Sequence, residues 1–359
     1  MPDLVVVGGG VVGAAAAWQA TRRGASVVLV DARAPGRATD AGAGIVSPET
    51  EPRDASPTHL LSAAAQSFYP ELIAALEADG QTETGYARCG KLVVALDDEQ
   101  AGWLSAYLEM LRDPERAAAP ADPTTLHEVD PAEAQAMFPP LAPVTGAFVS
   151  EDAARVDGRL LERALLASAA ARGAVIEHRQ VERLADLPAS DAVVVAGGAW
   201  SPALVPDLDV RPQRGQILHL AVDDPGCGRW PVLTPLTGHY LLAFADRVVI
   251  GATREDGAGF EPALTAAGQH EVLTNALSVA PGLAGAPVLE WRVGLRPVAG
   301  RGYPYLGAVP SSGHDHVFVA TGHGPTGLTW GPWSGAAVAD LALGASSEAD
   351  RAVLARFAP

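Results

Sequence analysis

The chain has 359 residues, of which 48% are hydrophobic and 19% charged, with a formal net charge of −17. That length exceeds one ordinary core and predicts two packed domains, and the apolar share is too high for a disordered polymer. A field of that sign repels nucleic-acid phosphates and anionic lipid surfaces, so neither is expected as a partner.

Lys91 is the single lysine. Any anion site must therefore use arginine or backbone N–H groups. The two cysteines, Cys89 and Cys227, show no metal or redox spacing and read as reduced thiols of a cytoplasmic protein. Leu4–Trp18 is uncharged, but Asp3 precedes it and glycines punctuate it, which reads against a secretory signal. No apolar run reaches the roughly 20 residues of a membrane span.

In chain order, Leu4–Val7 reads as a buried strand, Ala14–Arg23 as a helix stopped by Gly24, and Ser26–Val30 as a second buried strand ending at Asp31. This is a βαβ unit. Residues 59–78 predict an amphipathic helix that Gly80 ends, and 90–96 a strand. Residues 97–135 are acidic and proline-punctuated and predict helix in pieces. Leu160–Arg172 predicts a helix capped by Gly173, followed by strands at Ala174–Val181 and Ala192–Ala196. Further strands are expected around Gln216–Ala221, Tyr240–Ala245, Arg247–Gly251 and Val317–Ala320, then a final helix near Pro332–Leu343. The ends read as α/β and the middle as antiparallel. That predicts an α/β fold (α+β overall): residues 1–80, 150–210 and 290–359 as a Rossmann-like cofactor domain, interleaved with a substrate domain of residues 81–149 and 211–289.

Gly8-Gly9-Gly10-Val11-Val12-Gly13 matches G-x-G-x-x-G between a strand and a helix. Gly8 permits the tight turn, Gly10 the approach of a pyrophosphate, and Gly13 close helix–strand packing. The N–H groups of Val11 and Val12 open a helix whose dipole faces the phosphate charge. Asp31, followed by Ala32, ends the second strand, where a carboxylate accepts from ribose hydroxyls and disfavours a 2′-phosphate. The fingerprint alone does not separate FAD from NAD.

Four further stretches do. Arg37-Ala38-Thr39-Asp40-Ala41-Gly42-Ala43-Gly44-Ile45, Ala196-Gly197-Gly198-Ala199-Trp200-Ser201, Val293-Gly294-Leu295-Arg296-Pro297 and Ala320-Thr321-Gly322-His323-Gly324-Pro325-Thr326-Gly327-Leu328-Thr329 resemble the D-amino-acid oxidase and glycine oxidase family of flavoproteins. The resemblance spans residues 4 to about 344. It implies FAD held non-covalently, since neither cysteine matches the position through which some relatives attach flavin. The small residues Ala38, Thr39, Ala43, Gly44 and Ile45 let the isoalloxazine lie against backbone, and Gly197 and Trp200 flank the cofactor. By the same resemblance, Val181 meets adenine through its backbone. Gly322 through Thr329, with His323 held for its main-chain contacts, faces the pyrimidine edge, where negative charge grows on reduction.

The resemblance also implies the substrate side. Arg296 holds a carboxylate bidentately, and Tyr240 lines the pocket near the flavin. The implied reaction oxidises the C–N bond of an amino acid or N-substituted glycine by hydride transfer to flavin. The imine is hydrolysed to a 2-oxo acid and an amine, and oxygen is reduced to peroxide. No metal is called for, and no side-chain base is needed if the amine arrives neutral. The sequence also admits a D-amino-acid dehydrogenase that passes electrons to a quinone or carrier, a nicotinamide-dependent enzyme, and a non-catalytic flavin-binding protein. It leaves the oligomeric state open. One departure stands out. Glycine oxidases carry an arginine where this chain has Pro325, whereas Arg254 follows Gly251-Ala252-Thr253, where they have an apolar residue. Either Arg254 pairs with Glu255 or Asp256 or points to solvent, or it contacts a second anionic group on a larger substrate.

Overall fold

The structure, a computed structural model, describes residues 1–118, 124–310 and 316–359. Its first sheet has six strands in the order Tyr305–Ala308, Val317–Thr321, Ala192–Val195, Leu4–Val7, Val27–Val30, Val175–Glu177. All neighbours are parallel except the first pair. Leu4–Val7 sits in the middle with every residue buried, which explains its unbroken apolar run. Helices Val11–Arg22, Gly158–Ala171 and Gly327–Ala342 pack over one face with a fully buried Trp18. The first and last of these cross very closely. A Cβ on Gly335 would lie 2.0 Å from the Val12 carbonyl oxygen.

The second sheet has eight strands in the order Val288–Ala299, Val210–Ala221, Arg247–Gly251, Tyr240–Ala243, Val232–Pro235, Lys91–Ala95, Gly146–Ser150, Leu126–Val129. It is antiparallel apart from one parallel pairing, Val232–Pro235 with Lys91–Ala95. Helix Ala266–Val279 seals one face through Val272, Ala276 and Val279. On the other, Ile217, Leu242 and Val249 meet Ala43 and Ile45. Ile45–Val46 itself joins Ala154–Arg155 and Ala87–Arg88 in a three-stranded sheet. No helix among the described residues is long and apolar enough to cross a membrane.

Several elements differ from the sequence reading. The first helix starts at Val11 rather than Ala14. The strand expected over Ala174–Val181 is only Val175–Glu177, and Val181 lies in the loop beyond it. Segment 97–135 forms helices Asp98–Arg112 and Pro131–Met137 but also strand Leu126–Val129, and its residues 119–123 lie outside the described residues. Strand Val210–Ala221 begins six residues earlier than expected, and Val288–Ala299 is a full strand.

The helix expected to be the final one starts at Gly327 rather than near Pro332, and a short helix, Glu348–Leu354, follows it. Proline suits a first turn, so the sequence places the start there. Inside a helix, Pro332 cannot donate to the Leu328 carbonyl four residues earlier. Here the buried Tyr69 hydroxyl, from helix Thr58–Ala78, donates to that carbonyl instead. Tyr69→Phe is therefore expected to leave a buried acceptor unsatisfied and lower stability by about 1–3 kcal/mol. Urea unfolding measures this, and unchanged stability would show that the carbonyl has another donor.

Candidate active site

A cavity opens between the two large sheets at the carboxyl end of Leu4–Val7. Its floor is built where side chains cannot fit. Gly8 has φ +102°, and a Cβ on it would lie 2.4 Å from the Ala196 carbonyl oxygen. A Cβ on Gly13 would lie 1.9 Å from the Gly8 carbonyl oxygen; Gly13 packs helix onto strand and does not line the cavity. Gly10 differs. Its φ is −65°, and the nearest atom to a Cβ there is the Thr39 hydroxyl oxygen at 3.1 Å. That hydroxyl also accepts the Val11 N–H at 3.0 Å, capping the first helix from the following loop. Gly44, at φ +103°, presses against the Val156 carbonyl, and Ala38, Ala43 and Ile45 line the adjacent wall.

Asp31 lies on the cavity as expected, but it is not open. Its Oδ2 accepts from Arg37 Nη1 at 2.9 Å. Arg37 also binds Asp40 through Nε at 3.1 Å and Nη2 at 2.8 Å, and Glu162 at 3.0 Å. Burial pulls the Arg37 guanidinium down, but Asp40, Glu162 and Asp31 outweigh it and hold the guanidinium above its ordinary range. Burial pushes the Glu162 carboxyl up to about 7, against the pull of Arg37. Ala32, Val181, Gly197 and Trp200 continue the lining, and the Trp200 ring lies 5.3 Å from the exposed Phe260 ring.

The C-terminal loop closes the third side. His323, Gly324, Pro325, Gly327 and Leu328 line the cavity. Gly322, Thr326 and Thr329 do not. Gly322 turns the chain at φ +88°, the Thr326 hydroxyl donates to the His323 carbonyl at 3.2 Å, and the Thr329 hydroxyl donates to the Ile45 carbonyl at 3.0 Å. His323 is buried, and burial pushes its imidazole down to about 4, so it is neutral at pH 7.

At the far end stand Tyr240, Arg254 and Arg296. Arg296 lies across the neighbouring strand, where a Cβ on Gly215 would sit 2.5 Å from both its Nη atoms. Nη1 donates to the Thr253 carbonyl at 2.9 Å and to Gln213 Oε1 at 3.4 Å. Tyr240 lies over Gly251 in the same way. Burial pulls the Arg296 guanidinium down, Tyr240 opposes this, and Arg254 adds to it. Burial pushes the Tyr240 phenol up, against both arginines. Arg254 lines the cavity but is exposed, as the solvent alternative expected, and it does not pair with its sequence neighbours. Glu255 is taken by Arg214 at 2.6 Å and 3.0 Å, and Asp256 accepts from Gln213 at 3.0 Å. Among the described residues no carboxylate pairs with Arg254 or Arg296, and Asp31 is the one carboxylate among the lining residues.

The sequence reading singled out Arg254, Arg296 and Tyr240 and half of the lining glycines. It missed Arg37 and, among the glycines, Gly9, Gly42, Gly198, Gly215, Gly238 and Gly294 as lining residues. Arg37 opens one of the quoted stretches, and a basic residue six positions after Asp31 was the available signal. Gly215 had none, because its demand comes from a side chain on another strand.

Residues 3–341 match the family described as FAD dependent oxidoreductase (DAO). The chain is 38% identical to the uncharacterized oxidoreductase YurR of Bacillus subtilis, over 98% of this chain and 97% of that one. It is 32% identical to a glycine oxidase of Pseudomonas putida, over 98% and 97%. The crystal structure of iminodiacetate oxidase (IdaA) from Chelativorans sp. BNC1 superposes with a TM-score of 0.90 at 37% identity, covering 99% and 98% of the two chains.

The contrast between Gly10 and Gly13 yields a test. Gly10→Val adds bulk toward the cavity, so the protein is expected to fold with Tm within a few degrees of the parent but to purify with less than about a tenth of the flavin absorbance. Gly13→Val drives a side chain into backbone and is expected not to fold. A Gly10→Val protein loaded stoichiometrically with flavin would show the turn to be structural only.

Proposed function

Since the chain belongs to the DAO family of FAD-dependent oxidoreductases, we propose that it oxidises the C–N bond of a small amino acid whose nitrogen carries a second anionic arm, with oxygen as acceptor. The preferred class is an iminodiacetate-like amine dicarboxylate. The observation that carries this reading is the pair Arg254 and Arg296, both on the cavity and neither matched by a carboxylate. Arg296 is largely desolvated and costly to leave without an anion, Arg254 is exposed on the same cavity, and the substrate supplies a carboxylate to each. The similarity to an iminodiacetate oxidase supports the same class, because iminodiacetate carries two carboxylates on one amine.

The residues fit FAD. Gly10 leaves open space that a side chain would fill, Gly8 and Gly44 let the chain turn close against Ala196 and Val156, and the N-terminus of helix Val11–Arg22 offers Val12 N–H and dipole to a pyrophosphate. Asp31 keeps Oδ1 for a ribose hydroxyl while Arg37 fixes Oδ2. Val181 would hold the adenine, and Gly324, Pro325, Gly327 and Leu328, with the helix they open, would hold the flavin's pyrimidine edge. When bound, FAD supplies the acceptor for the hydride on the carbon beside the amine.

The chain's own part is position and charge. Arg296 holds the carboxylate of the carbon to be oxidised, and its contact with the Thr253 carbonyl keeps the guanidinium plane across Gly215. Tyr240 donates its hydroxyl, kept protonated by burial, to the same end of the substrate. Arg254 takes the second carboxylate. Burial and two nearby positive charges favour the neutral amine, so no side-chain base is required. His323, neutral at pH 7, adds no charge to the opposite wall.

Arg296→Ala is expected to keep FAD and to lower kcat/KM roughly 30- to 1000-fold. Arg254→Met is expected to lower kcat/KM for iminodiacetate roughly 10- to 150-fold, mostly through KM, while glycine and sarcosine change little. Anaerobic bleaching of the flavin and peroxide yield in air measure both. Equal losses on all three substrates would reject the assignment of Arg254.

A further inference from the structure

We infer that Arg214, a residue outside the cavity, sets the cavity's charge by keeping Glu255 away from Arg254. This rests on the two-arginine reading above and names the device that preserves it. Beyond Gly251 the chain stays tied to strand Val210–Ala221. Thr253 N–H donates to the Gln216 carbonyl at 3.3 Å, and Arg214 and Glu255 exchange backbone hydrogen bonds of 3.1 and 2.9 Å. Arg254, itself exposed, is therefore flanked by two anchored residues, one of them the carboxylate Glu255.

That carboxylate is fully occupied. Its Oε2 accepts from Arg214 Nη2 at 2.6 Å and Nε at 3.0 Å. Its Oε1 accepts from the Thr253 hydroxyl at 2.7 Å and from Gln216 Nε2 at 2.6 Å. Gln216 is completely buried, and its Oε1 takes the Thr265 N–H at 3.1 Å. Helix Ala266–Val279 makes room for it at Gly268, where a Cβ would lie 2.2 Å from Gln216 Nε2. Four donors on one carboxylate leave it nothing to offer Arg254. Arg214 and Glu255 cancel, and the cavity keeps both positive charges. Without Arg214, Glu255 is an unneutralised anion adjacent to Arg254 and becomes its partner in place of the substrate.

The test titrates the flavin absorbance of the holoenzyme with malonate and with acetate, in the parent, in Arg214→Gln and in Arg214→Gln/Glu255→Gln. The parent is expected to bind malonate more tightly than acetate. Arg214→Gln is expected to shrink that preference roughly tenfold, with acetate affinity and flavin content little changed, and the double variant to restore it. A merely structural role predicts the opposite order, with the double variant worse than the single. Equal affinity of the parent for the two anions, a preference that survives Arg214→Gln, or no restoration in the double variant would overturn the inference. If the anion pattern holds but iminodiacetate is not oxidised, the charge device stands and the substrate reading fails.

Discussion

An arginine held inside a protein without a carboxylate is a costly arrangement, and most of the substrate end of this molecule follows from tolerating it. Arg296 is given neutral acceptors, the Thr253 carbonyl and Gln213 Oε1, which satisfy donors without cancelling charge. It is given a flat bed at Gly215 and, at Gly251, a neighbouring glycine that lets Tyr240 lie just as low. The acidic residues of the adjoining turn are turned outward or occupied by Gln213, Arg214 and Gln216. The resulting field acts on any amine and any anion that enters.

The cofactor end solves the reverse problem. Asp31, Asp40 and Glu162 converge on Arg37, so three acids share one base. The same arginine sits where the loop crosses the strand of Arg296, for the Gly36 carbonyl accepts the Leu295 N–H at 2.9 Å. Arg37 thus ties the carboxylate at the end of Val27–Val30 to a loop hydrogen-bonded beside Arg296.

What was legible in the sequence was whatever is decided locally. Leu4–Val7, Ala192–Val195 and Val317–Thr321 are buried parallel strands and read as apolar runs. The glycine turn and the family stretches pointed to residues that line one cavity, Arg296 among them. Strands Val210–Ala221 and Val288–Ala299 were not legible as whole elements, although they carry Gly215 and Arg296. Val-Arg-Pro-Gln-Arg-Gly neither alternates nor favours extension, and its strand character comes from the partner it pairs with. The fate of Arg254 was hidden for the same reason. In sequence its neighbours are Glu255 and Asp256, but both are claimed by residues about 40 positions away. The start of helix Gly327–Ala342 was misplaced because the hydroxyl that excuses Pro332 belongs to Tyr69.

The order of strands in the six-stranded sheet bears on how the protein matures. Leu4–Val7, first to be synthesised, is flanked by Val27–Val30 and by Ala192–Val195, and the sheet continues through Val317–Thr321. The glycine turn after residue 7 rests on Ala196, and the helix it opens packs against Gly327–Ala342. A growing chain therefore has the glycine turn long before the wall that supports it, which waits for Gly327–Ala342. Flavin capture therefore waits for that helix, and production in cells depends on keeping a long, half-assembled chain from aggregating until Gly327–Ala342 docks.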